Sequence, residues 1–60
     1  MKLKNIKVGQ KFKTFSNVEM IKIPISNYEK KTHQNYPNKV QRTDTKEIFY
    51  LENNFFIKDL

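Results

Sequence analysis

The stretch that decides the fold is "EIFYLENNFFIKDL", Glu47 to Leu60. Its first six residues are rich in β-branched and aromatic side chains, the composition of a strand. In an extended chain Ile48 and Tyr50 fall on one face and Phe49 and Leu51 on the other. Asn53-Asn54 then supplies a hairpin turn, because asparagine tolerates positive φ. "FFIKDL" closes the chain as a last strand, with Phe55 and Ile57 opposite Phe56. Both faces of this hairpin are apolar, yet a small sheet buries one face only. The other face must meet a partner, a lid such as Leu3 and Ile6, or a second copy of the chain.

Upstream segments repeat the short-strand pattern. "KVQRT" (Lys39–Thr43) alternates, with Val40 and Arg42 on one face. "DTKE" (Asp44–Glu47) reads as a turn in which Asp44 bonds backbone two residues on. "KFKTF" (Lys11–Phe15) alternates charged with aromatic or hydroxyl residues. Ser16-Asn17 is a turn pair. "VEMIKIP" (Val18–Pro24) is a strand that Pro24 ends, since proline cannot donate to a ladder. Residues 25–38, "ISNYEKKTHQNYPN", carry no apolar period and read as a long polar loop, the commonest place for function in a small domain. Alanine is absent and helix signals are poor. The expectation is a single all-β domain over residues 1–60, five short antiparallel strands closed into a small barrel.

The chain has one glycine, Gly9, in "IKVGQKF". A lone glycine usually marks a place where a side chain would clash. Here it reads as a sharp turn from a lead-in (Leu3, Ile6 and Val8, packed over one end of the barrel) into the first strand. One glycine without glycine-rich neighbours is a poor signal for a phosphate cradle.

Three segments together carry a family likeness: "L-x-x-I-x-V-G-x-x-F" from Leu3 to Phe12, "V-x-M-I-K-I-P" from Val18 to Pro24, and "F-Y-L-E-N-N-F-F-I" from Phe49 to Ile57. The chain resembles a group of small, mostly uncharacterised bacteriophage-encoded proteins regarded as SH3-like β-barrels. The likeness spans most of the chain outside residues 25–38 and rests on core and turn positions. Thr45-Lys46 stands where that group usually has a Thr-Gly or Asn-Gly turn. The resemblance implies an SH3-like fold, a phage origin and residence in the host cytoplasm. It also implies an accessory protein that binds and modulates a host protein, as inhibitors of host enzymes and of antiviral defence do.

Charge is asymmetric. The formal net charge is +6, from eleven lysines and Arg42 against six carboxylates. Residues 1–31 carry all of that excess, and residues 32–60 are neutral. A basic half points to an acidic partner: nucleic acid, a protein with an acidic surface, or a membrane surface. The bland account is that lysine and asparagine abound while arginine and glycine are rare, as A/T-rich coding would produce. Cysteine is absent and histidine occurs once, which excludes disulfides and a His/Cys zinc site. No apolar run reaches the length of a signal peptide or a membrane span, so the reading is a soluble cytoplasmic protein with no membrane partner. A chain this small stabilises itself by tight packing, by self-association or by both.

No residue pattern points to catalysis, and the expectation is a non-enzyme without cofactor or metal. His33 is the lone histidine and sits in the polar loop as a solvent-exposed side chain. Glu47 and Glu52 are an odd number apart, which places them on opposite faces of one strand. Phosphate-loop, dinucleotide-binding, EF-hand and zinc-protease patterns are missing. Two binding readings remain. A protein interface would use Tyr28, Tyr36, Tyr50 and Phe55 as aromatic anchors, with the lysines speeding encounter. A sequence-tolerant nucleic-acid site would use Lys11, Lys13, Lys30, Lys31 and Arg42, with loop tyrosines or Phe15 stacking on bases. Against the second, Phe15 also reads as a core residue and the lysines as a solvated face.

Overall fold

The computed structural model describes residues 1–58. Alternation of inward and outward side chains produces four short strands: β1 (Lys11–Lys13), β2 (Glu19–Lys22), β3 (Asn38–Arg42) and β4 (Ile48–Leu51). They form one antiparallel sheet in chain order, β1-β2-β3-β4. The registers pair Phe12 with Met20, Met20 with Arg42, and Val40 with Phe49. On the inner face Leu3, Ile6, Phe12, Met20, Val40 and Ile57 form the buried core, and Val18, Phe49, Leu51 and Phe55 pack against it.

The sheet is open, and the chain is not all-β. A short helix, α1 (Asn27–Thr32), occupies the middle of the segment read as a loop. It buries no residue, so an apolar stripe does not explain it. A capping box does: the Glu29 amide donates to Ser26 Oγ at 3.1 Å, and the Ser26 amide donates to Glu29 Oε1 at 3.1 Å. The expected fifth strand is also absent among the described residues. Residues 55–58 make one isolated bridge, Lys2 with Phe56, flanked by amide bonds from Leu3 to Phe55 O and from Ile57 to Met1 O. The Lys58 amide donates to Lys13 O at 2.9 Å, which covers part of the β1 edge. Residues 59 and 60 of the expected strand lie outside the described residues.

Turn chemistry follows the residue types. Asn17, at φ 62°, closes the β1–β2 hairpin. Buried Thr14 accepts the amides of Ser16 and Val18 on its Oγ1. Asp44 accepts the amide of Thr45, one residue on rather than two. Lys46, at φ 66°, takes the left-handed conformation that glycine would adopt without strain. Of the lead-in residues, Leu3 and Ile6 are buried but Val8 is exposed, because the chain is already turning there.

Gly9 answers to φ and not to space. The Gln10 amide donates to Lys7 O at 3.0 Å, closing a turn with Gly9 in its third position. Its φ of +90° is what a type II turn asks of that residue. The Gly9 amide then bonds Lys22 O at 2.7 Å while the Lys22 amide bonds Gln10 O at 3.1 Å. Two residues thus oppose one, a glycine bulge that twists the chain into β1. A Cβ at Gly9 would meet nothing within 4 Å. Gly9→Ala is therefore expected to cost only the left-handed penalty, about 1–2 kcal/mol. Urea unfolding checks this: the midpoint should fall with an unchanged slope. A midpoint at the wild-type value would refute the assignment.

Candidate functional site

Two regions of the surface differ in their chemistry. Over β3 and β4 lies α1. Glu29 Oε2 sits 2.7 Å from Lys39 Nζ and accepts a hydrogen bond from the Tyr50 hydroxyl. The His33 ring stacks on Tyr50 with centroids 3.8 Å apart and planes 16° from parallel. His33 Nδ1 lies within hydrogen-bond distance of Glu29 O and Thr32 Oγ1. The helix is the lid over Tyr50 that the hairpin's two apolar faces called for. Leu3 and Ile6, the lid candidates from sequence, instead fill the inner core.

The bond from Lys39, then those from Tyr50 and Ser26, hold the Glu29 carboxyl down at about 2, against an ordinary value of 4.5. The hydrogen bonds that Lys39 and Tyr50 make to this carboxylate, and then its charge, raise both groups in turn. Asp44 is likewise held at about 2, by the Arg42 guanidinium and the Thr45 amide. A depressed carboxyl stabilises the fold fully above its unfolded value and loses that contribution as pH falls toward the folded one. Stability should therefore decline between about pH 4.5 and about 2 as Glu29 takes a proton. Glu29→Gln should remove part of this acid dependence and leave the part due to Asp44. Melting temperatures recorded against pH test it, and an unchanged acid limb in Glu29→Gln would show that the clasp contributes nothing.

The second region lies along β1 and the segment 55–58. Lys11 and Lys13 point outward and are exposed, while Phe12 between them is buried. The bond from the Lys58 amide to Lys13 O brings the end of the chain alongside. Inward Ile57 leaves Phe56 and Lys58 facing out. Lys2 pairs with Phe56 across the isolated bridge, its Nζ 5.8 Å from the ring centroid. The Lys58 Nζ donates to Asn17 Oδ1 at 2.8 Å, in the turn that also carries Phe15. Phe15 is 69% exposed and Phe56 59%. Phe15 is thus no core residue; it lies in the turn that Lys58 Nζ reaches, while exposed Phe56 carries Lys2 over its ring. Among the described residues, neither ion pair uses any of these lysines.

The residues singled out from sequence are dispersed. Tyr28, on α1, and Tyr36, just after it, are exposed, Tyr50 is half-buried under α1, and Phe55 packs against the core. These four do not form one patch. Of the basic candidates, Lys11 and Lys13 share the β1 face. Lys30 and Lys31 are in the last turn of α1, over the far side of the sheet. Three strand spacings, about 14 Å, separate β1 from β4. Arg42 is held by Asp44, with Nε and Nη2 donating at 3.0 and 2.8 Å. Sequence reasoning missed Lys58 beside Lys13 and Lys2 over Phe56, because only the crossing of the two termini makes these contacts. It also missed the Ser26-x-x-Glu29 capping box, which was legible. Among the described residues no three acidic or histidine side chains lie close enough to hold a metal ion. Among the same residues no helix is long and apolar enough to cross a membrane.

Comparison with known proteins returns no matching family model, no matching curated protein and no matching solved structure.

Proposed function

We propose that the protein is a small non-catalytic binding module whose β1 face takes single-stranded nucleic acid without strong sequence preference. The observation that carries this is the Lys58–Lys13 backbone bond, which sets the segment carrying exposed Phe56 beside the strand carrying Lys11 and Lys13. Lysines track phosphates, and bare rings offer a stacking platform that any base can use. Lysine suits this role because it is a point charge, whereas bidentate base recognition favours arginine, of which the chain has one, already engaged by Asp44. The architecture behind the face is read as an SH3-like barrel, and the approach of residues 55–58 to both Lys2 and Lys13 supports that reading. Fluorescence anisotropy with labelled oligo-dT and oligo-U, and a duplex as control, tests the function. Binding to single strands that weakens steeply with salt supports it, and no binding at low salt rejects it.

A second reading keeps the implication of the phage resemblance, an accessory factor that binds a host protein. The exposure of Tyr28 on α1 and of Tyr36 just after it favours it. That interface would be anchored by these two rings, since Tyr50 and Phe55 are occupied within the fold. A nuclease-treated pull-down from bacterial lysate separates the two readings: a discrete protein band that disappears in Tyr28→Ala supports the second.

A further inference from the structure

The two edges of the sheet are treated differently. The β1 edge carries Lys11 and Lys13 and receives the amide of Lys58. Charged side chains and a covering segment are the usual means of blunting an edge. The β4 edge has neither. Ile48–Leu51 holds no charge and no proline, and Ile48 is 48% exposed. The register fixes which backbone groups are free. The Arg42 amide donates to Glu47 O, so residues 47, 49 and 51 bond toward β3, and the N–H and C=O groups of Ile48 and Tyr50 point away from the sheet. Among the described residues no backbone bond is made to these four groups.

We infer that β4 pairs with β4 of a second copy, antiparallel about a two-fold axis at Phe49, joining two sheets into one. Charge selects this partner and this register. Only residues with outward backbone groups can form the bonded pairs, so Ile48 must face Ile48, Tyr50 or Glu52 of the other copy. The first register sets Glu52 against Asp44, two like charges. The third sets Ile48 against a carboxylate. The middle one sets Ile48 against Tyr50, a favourable β-branched and aromatic pair, and brings Glu52 to the turn that carries Lys46 at each end. Neither Lys46 nor Glu52 is in an ion pair among the described residues. Self-association is also a usual source of stability for a domain with so small a core.

Sedimentation equilibrium from micromolar to millimolar concentration tests the pairing, with amide exchange at Ile48 and Tyr50 as a second readout. The expected mass at high concentration is twice the 7.3 kDa of the chain, with both amides becoming protected as the dimer forms. Ile48→Pro removes an N–H that β3 does not use, so the monomer should fold and the dimer should be lost. Lys46→Glu and Glu52→Lys should each weaken the dimer, and the double variant should restore it. If circular dichroism shows that Ile48→Pro does not fold, the charge pair alone decides. A wild-type protein that stays at one chain's mass up to millimolar concentration overturns the inference. So does a dimer indifferent to the charge variants, or one that leaves the Ile48 and Tyr50 amides exchanging freely.

Discussion

Phe12→Ala is expected to leave the chain unfolded or nearly so at room temperature. Phe12 is 1% exposed and is the largest of the fully buried side chains. Truncating a buried phenylalanine costs about 3–5 kcal/mol, because the lost transfer energy is joined by the cavity that remains. Domains carry roughly 0.05–0.15 kcal/mol of stability per residue, which for a chain of this length is about 3–9 kcal/mol in all. The core holds six buried apolar residues, with no disulfide to limit the unfolded ensemble. One deletion thus removes a third or more of what holds the protein together. Phe15→Ala and Phe56→Ala are the contrast. Both rings face solvent, and changes at such positions usually stay within about 0.5 kcal/mol. Circular dichroism and urea titration of the three variants decide the matter. A cooperative transition at the wild-type midpoint in Phe12→Ala would mean that the core lies elsewhere.

Much of the fold was legible in local pattern. The strands around Phe12 and Val40 announce themselves by alternation, that around Phe49 by its β-branched and aromatic composition, that around Met20 by its apolar run up to Pro24, and the turns at Ser16-Asn17 and Asp44–Glu47 by residue type. Helix α1 is hidden in the sequence because it carries no apolar stripe. Its determinants are a cap and a tether, and the tether runs from Glu29 to Lys39 and Tyr50, residues distant in sequence. The last segment was over-read for the opposite reason. "FFI" has the composition of a strand, but after Asn53-Asn54 the chain crosses to Lys2 and Lys13 instead of running beside β4, so it forms one bridge and no ladder. The candidate site shows the same limit. Lys11 and Lys13 were found by alternation. Lys2, Phe56 and Lys58 join them only through that crossing, which no local pattern specifies.

That crossing also makes the binding face quantitative. If Lys2, Lys11, Lys13 and Lys58 each meet a phosphate, the logarithm of affinity for a single strand should fall with the logarithm of salt at a slope of about −2.8, at ~0.7 per contact. Raising salt fourfold then weakens binding by roughly 50-fold. Replacing Lys11 and Lys13 together by glutamine should halve the slope to about −1.4, because two counterions fewer are released. The fold should survive, since both side chains leave the sheet on its exposed face. Phe15→Ala and Phe56→Ala should act differently. Loss of a stacked base costs about 1–3 kcal/mol, so each should weaken binding by roughly 5- to 150-fold with the slope unchanged. Lys30→Gln with Lys31→Gln, across the sheet on α1, should change neither quantity. Anisotropy titrations at several salt concentrations separate charge from stacking in one data set. A slope that stays at the wild-type value in the Lys11/Lys13 variant, or that drops in the Lys30/Lys31 variant, would move the site from β1 to the helix and leave the two exposed phenylalanines without a role in binding.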